Sequence, residues 1–353
     1  MMKLAALALS VAASPATAKT PLQIISLDAD GGAATLFVTP EGKSLLVDTG
    51  WPDRSAQQSA ATPPPPPATV GRVRAAMDQL GLKRLDYVLI THYHFDHVGG
   101  IADLLAQIPV GVVIDHGPNR EAPPLPPATA SPNHPSRLYS DYEKLLSGRE
   151  RRQVKVGEAL QIGSLKLTFV TSDGALIERP LGRATTPISC AGQDKPRPAD
   201  ENDRSLGFVA SFGRARILDL GDLLWDQERR LVCPVNKLGA IDVLLVTHHG
   251  SELSNSPALI EAITPRVAIV QNGARKGGDR SVYQTLTAAQ SKPAIWYQHF
   301  ATRTPEANPA GDFIANPEAA TDTGHALQLQ VWRDGRVTVT NARNGHKAAY
   351  PPR

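Results

Sequence analysis

The chain has 353 residues, 41% of them hydrophobic and 20% charged, with a formal net charge of +3. That is enough apolar material for a buried core, and the basic excess is too mild for a protein that coats nucleic acid with dense basic blocks. No stretch reaches about 18 consecutive apolar residues, so the sequence offers no membrane-spanning helix; disordered, collagen-like and coiled-coil classes are excluded with it.

The amino terminus reads as a secretory signal peptide over residues 1–18. Lys3 is a minimal positive start, Leu4–Ala13 an apolar run, and Ala16-Thr17-Ala18 an A-x-A cleavage site. Cleavage implies a periplasmic or secreted protein, in which Cys190 and Cys233 either pair or persist as two buried thiols. Residues 19–353 are expected to form a single domain. Leu22–Asp28, Ala34–Val38 and Ser44–Asp48, separated by Gly31-Gly32 and Glu41-Gly42, read as a β-meander. A Pro-rich loop at 61–69 follows, in which Pro63–Pro67 can be neither helix nor inner strand. Val70, Val73, Met77 and Leu80 share one face of a helix over Val70–Leu80. Leu85–Thr91 is a buried strand, Gly99–Ile108 a helix and Val110–Asp115 a second buried strand.

Residues 117–135 read as a Pro-rich loop ending near His134, and Tyr139–Leu146 as helix. Leu165–Val170 alternates like a half-buried strand, and 185–204 is polar and irregular. Leu206–Phe212 and Arg216–Leu220 form a hairpin about Gly213, and Asp242–Thr247 is another buried strand. Helices at Pro257–Ile263 and Val282–Ala289 alternate with strands at Val267–Gln271 and Ala294–Tyr297. A last hairpin, Leu327–Trp332 with Val337–Thr340, turns at Asp334-Gly335. Meandering strands with interspersed helices fit sheets covered by helices better than a doubly wound parallel sheet. No Gly-rich nucleotide-binding loop is present.

Chemistry concentrates where apolar strands end. Thr91–Gly100 reads THYHFDHVGG and places His92, His94, Asp96 and His97 within six residues. A regular strand would turn His97 away from the other three, and a helix would align none of the first three. A tight loop at a strand end can offer one set of donors to one ion and the rest to a neighbour, and imidazole with carboxylate suits zinc and similar divalent ions. Three further segments have the same placement: THHGS at Thr247–Ser251, LDLGD at Leu218–Asp222 and VDTGW at Val47–Trp51. Arg275-Lys276-Gly277-Gly278, after the Val267–Gln271 strand, either receives a substrate anion or is a solvated loop.

In this order the motifs resemble the metallo-β-lactamase superfamily, over Leu22–Asn341. The resemblance implies an α/β (α+β) fold, a four-layer αββα sandwich with one or two divalent ions, zinc or manganese, at one edge of its sheets. It implies His92 and His94 on the first ion, Asp96 and His97 on the second, and Asp222 between them. One of His248 and His249 completes the second ion. The His-Gly pair favours His249, leaving His248 to face the substrate as a proton donor or anion contact. Asp48 is expected to hold the ligand loop, and Asp48, Asp96, Asn202 and His248 are the catalytic candidates.

One departure concerns the first ion, for which the superfamily usually supplies a third histidine shortly before the bridging aspartate. Here that position falls near Glu201-Asn202-Asp203-Arg204-Ser205. Asn and Ser there, followed by LGD and HHGS, are similar to the hydrolase domain of ComEC and its soluble relatives. Either the first ion is held more loosely, or His116 substitutes from the end of its own strand, VVIDHG. The function so implied is an exported hydrolase using a metal-activated hydroxide on a phosphoester or phosphodiester, with no stable nucleic-acid coating and no membrane span. The alternatives are ester, lactone or β-lactam hydrolysis, and a non-catalytic metal-binding protein.

Overall fold

The computed structural model describes residues 20–52, 69–123, 131–182, 190, 199–318 and 323–353. The expected signal peptide and Pro63–Pro67 lie outside the described residues, as does most of the expected loop at 185–204.

Among the described residues two nine-stranded sheets are built in chain order. β1 (Leu22–Ser26), β2 (Thr35–Val38) and β3 (Ser44–Val47) pair as an antiparallel meander. β4 (Leu85–Leu89), β5 (Val110–Asp115) and β6 (Glu150–Gln153) extend that sheet in parallel. The second sheet starts with β7 (Ala159–Ile162), β8 (Leu165–Ser172), the two-residue β9 (Ala175–Leu176), β10 (Gly207–Phe212) and β11 (Ala215–Asp219), all antiparallel. It continues in parallel with β12 (Val243–Leu245), β13 (Val267–Val270), β14 (Ala294–His299) and β15 (Ile314–Asn316). β16 (Leu327–Val331), β17 (Val337–Asn341) and β18 (Lys347–Tyr350) return to the first sheet, where β16 pairs with β1.

Alternation sorts the side chains into layers. Phe37, Leu45, Val47 and Leu89 from the first sheet meet Leu167, Phe208, Ile217, Val243 and Ile269 from the second in one buried core. On the outer face of the first sheet, Leu36, Leu46, Val88 and Val113 pack against α1 (Thr69–Gln79), α3 (Ile101–Gln107) and α4 (Pro135–Leu145); the one-turn α2 (Phe95–Val98) precedes α3. Outside the second sheet, Leu218, Leu244 and Ala268 pack against α5 (Trp225–Val232), α6 (Pro257–Ile263) and α7 (Arg280–Ala288). The result is the expected helix–sheet–sheet–helix order. Its parallel strands β12 and β13 are buried throughout and read as unbroken apolar runs, β3 is broken only by the buried Ser44 at its start, and β4 only by the half-buried Asp86 and Tyr87. Among the described residues no helix is long and apolar enough to cross a membrane.

Several elements depart from the sequence-based expectation. The histidine-rich segment is not wholly a loop, because α2 puts Asp96 and His97 on a helical turn. The helix expected at Tyr139–Leu146 begins at Pro135, with the His134 side chain capping it and proline in the first turn. β6, β18 and α5 had no clear apolar period: Glu150–Gln153 reads ERRQ, and α5 interrupts its buried face with charge. Of the two outcomes expected for the cysteines the structure has pairing: Cys190 and Cys233 form a disulfide, with Cα atoms 5.8 Å apart and a sequence separation of 43.

Candidate metal centre

Parallel strands deliver the polar residues to one edge. β3, β4, β11 and β12 run in a common direction within their sheets, and Asp48, His92, Asp222 and His249 follow their carboxyl ends. Gly221 makes the turn after β11 with φ of 56°, and a Cβ there would stand 2.9 Å from Thr91 Cβ. This close approach brings Asp222 beside the histidine segment. His248 and His249 both have φ of 55°, a left-handed kink that turns their rings back toward the strand ends.

Asp96, His97, Asp222 and His249 are all buried, and their ligand atoms lie within 4.8 Å of one another. His97 Nε2 is 3.4 Å from Asp96 Oδ2, 3.3 Å from Asp222 Oδ2 and 3.1 Å from His249 Nε2. His249 Nε2 is 3.0 Å from Asp96 Oδ2 and 3.4 Å from Asp222 Oδ2. Four donors set 2.0–2.2 Å from a tetrahedral ion stand roughly 3.3–3.6 Å apart, and these five distances of 3.0–3.4 Å come close to that spacing.

Beside this group, His92 Nε2 approaches His94 Nδ1 at 3.0 Å, and His94 Nδ1 approaches Asn202 Oδ1 at 2.8 Å. His92 Nε2 is 4.0 Å from Asp222 Oδ2, which places that carboxylate between the two groups. Asn202 therefore stands where a third histidine was expected. His116 is elsewhere: its Nε2 is 2.9 Å from Glu201 Oε1, with both side chains fully buried. The structure brings the other predicted ligands together and leaves His116 behind them.

Hydrogen-bond partners fix which nitrogen of each ring faces inward. Thr91 Oγ1 donates to Asp48 Oδ2 at 2.8 Å, so the hydroxyl is left to accept from His92 Nδ1 at 3.0 Å. Asp48 Oδ2 accepts from His97 Nδ1 at 2.7 Å, and the Gln271 carbonyl accepts from His249 Nδ1 at 3.2 Å. All three rings thus present a lone pair from Nε2 toward Asp222, as metal-binding imidazoles require. His248 is similar. Ser254 gives its proton to the Leu223 carbonyl and accepts from His248 Nδ1 at 3.3 Å, leaving Nε2 a hydrogen-bond acceptor 3.5 Å from Asp222 Oδ2.

Electrostatics follow from burial and crowding. Burial penalises charge on Asp222, but His97, His249 and His248 outweigh it and hold the carboxyl well below the usual range. Asp96 is also held low, burial being outweighed by Lys276 and His97. His97 is pushed up against its own burial by Asp222, Asp96 and Asp48. Burial, reinforced by His97, pushes His92 well below the ordinary imidazole value, and burial takes His248 down to about 4. His92 and His248 are thus neutral donors beside ionised carboxylates, and a divalent cation held by His97 would displace the proton that those carboxylates now favour on it. Sequence reasoning gave no part to Thr91, although it lies inside the motif. It also passed over Glu121, which stands alone in a Pro-rich segment and reaches 3.3 Å from His134 Nε2.

The family model described as "Metallo-beta-lactamase superfamily" matches residues 27–273. ComE operon protein 3 of Bacillus subtilis is 27% identical over 194 residues, covering 55% of this chain and 20% of its own length. Recombination protein 2 of Haemophilus influenzae is 25% identical over 256 residues, covering 72% of this chain and 25% of its own. The chain thus spans a quarter or less of these curated relatives. Among solved structures, the metallo-beta-lactamase fold protein YhfI from Bacillus subtilis is 12% identical, with a TM-score of 0.45, covering 79% of this chain and 96% of that one.

Proposed function

The chain belongs to the metallo-beta-lactamase superfamily, and from that premise we propose that it is an exported metal-dependent hydrolase of phosphoesters or phosphodiesters. The observation that carries the hydrolase reading is the buried group of Asp96, His97, Asp222 and His249, whose ligand atoms lie within 4.8 Å of one another with both imidazoles turned Nε2 inward. These four would hold one ion, and His92, His94 and Asn202 a second, with Asp222 between them. Bound divalent ions supply an ionised water at neutral pH and positive charge for oxygen that becomes anionic.

The protein's own groups do the rest. Asp48 and Thr91 fix His92 and His97 in the ligand tautomer and keep them from rotating. His248, held neutral by burial, presents Nε2 as a hydrogen-bond acceptor beside Asp222 and so would accept a hydrogen bond from substrate or water there, in place of the expected proton donation. Asn202 supplies an amide oxygen where imidazole is usual, which favours a harder ion such as manganese at that position. The phosphoester substrate rests on the resemblance of the Asn202–Ser205, LGD and HHGS segments to the ComEC-like hydrolase branch. Export is supported by the leader-like residues 1–18 and by the disulfide, which suits an oxidising compartment.

Assay of zinc- and manganese-loaded protein against bis-p-nitrophenyl phosphate and nitrocefin tests the substrate class. Turnover of the phosphodiester is expected; turnover of nitrocefin alone overturns the reading.

A further inference from the structure

Outside the ligand set, among the described residues, the cation of Lys276 reaches the centre. Lys276 comes from the segment between β13 and α7 and places its ammonium on Asp96 Oδ2, a proposed metal-ligand oxygen. The same ammonium lies 5.2 Å from the centre of the Trp51 ring, which in turn packs edge-on against Phe95 at 5.7 Å. An aromatic face attracts an ammonium, so Trp51 offers it a second resting place at the rim. The side chain is 41% exposed, whereas Asp96 is 11% exposed, so the lysine reaches inward from solvent.

Its backbone, by contrast, is fixed. Gly273 N donates to the Lys276 carbonyl at 2.9 Å, and Gly278 N donates to the His249 carbonyl at 2.9 Å. Gly277 has φ of 70°, and a Cβ there would stand 2.1 Å from His249 O, so only glycine lets this segment lie against the ligand loop. Gly31 leaves room on the other side, where a Cβ would come within 2.9 Å of Lys276 Cβ. A long flexible stem is thus anchored next to His249 with its charged end free to pivot.

A divalent ion and an ammonium cannot share Asp96 Oδ2 without strong repulsion. We propose that Lys276 is the anion-binding residue of the site: a divalent ion on Asp96 turns its ammonium out along the Trp51 face, where it takes an oxygen of the substrate's phosphate group. The proposal rests on the metal-hydrolase reading and makes Lys276 both a competitor for Asp96 and the source of substrate charge recognition.

The test compares wild type with Lys276→Met, which keeps the stem, and Lys276→Arg, which keeps the charge. Zinc titration is followed by calorimetric titration of the zinc-loaded protein with inorganic phosphate. Lys276→Met should bind the same number of zinc ions, as tightly as wild type or more tightly, and lose about 10- to 100-fold in phosphate affinity, the worth of one charge-assisted hydrogen bond. Lys276→Arg should restore most of that loss. Unchanged phosphate affinity in Lys276→Met overturns the proposal. So does weaker zinc binding, which would make the lysine a support for Asp96. A wild type that binds phosphate through Lys276 yet hydrolyses no phosphodiester sinks the substrate class and leaves the anion site standing.

Discussion

Asp48 adopts φ of 58°, a left-handed conformation that costs a residue with a side chain on the order of 1–3 kcal/mol. Its carboxylate justifies the cost. It accepts from the Thr91 backbone at 2.8 Å, from the Thr91 hydroxyl at 2.8 Å and from His97 Nδ1 at 2.7 Å. Through Thr91 it also orients His92, so one carboxylate sets the tautomers of two proposed ligands on different ions. Asp48→Asn keeps the shape but replaces one acceptor oxygen with a donor. Metal affinity should fall by about 10- to 100-fold, the usual effect of losing such a supporting group. Competition titration with a chelating dye measures it, and an unchanged constant would mean Asp48 is only a turn residue.

At the scale of elements, the loop between β12 and α6 is held by a buried acid on α5. Glu228 accepts from the Asn255 N–H at 2.9 Å and the Ser256 N–H at 2.7 Å, while Asn255 Nδ2 donates to the Thr247 carbonyl at 2.8 Å. The same loop carries Ser254, the partner of His248. Burial pushes the Glu228 carboxyl up from its ordinary 4.5 to about 7 against these hydrogen bonds. The folded state therefore holds the proton more tightly than the unfolded one. The stability this contributes is fully present below pH 4.5 and is lost as pH rises through about 7. Chemical denaturation of wild type and Glu228→Gln across that window should show the wild type losing stability relative to the variant as pH rises. A constant difference would mean the acid titrates normally.

For the whole molecule, the edge that gathers the site was legible because each motif terminates an apolar run. VDTG follows β3, THYHFDH follows β4, LGD follows β11 and THHGS follows β12, and parallel strands must release their carboxyl ends on one side. Covering helices were legible where apolar residues recur at helical spacing, as in Val70, Val73 and Met77. β6 and β18 were not, since edge strands carry no such period, nor was α5, whose buried face mixes Gln227 and Glu228 with Leu231 and Val232. Nor could sequence decide between Asn202 and His116 beside His94: both follow polar or strand-end signals, and only the fold puts Asn202 at 2.8 Å and ties His116 to Glu201. Lys276 lies far along the chain from Asp96, and no local pattern connects them. The disulfide closes a 43-residue loop onto the end of α5, and on a chain-entropy estimate contributes about 4 kcal/mol.

The central claim is that these distant segments converge to bind divalent cations. Elemental analysis of wild type and Asp222→Ala, purified alike and dialysed against micromolar zinc, tests it most directly. One to two ions per wild-type chain, falling below one in the variant, is the expected result. Equal content in the two proteins, or none in wild type, would contradict it.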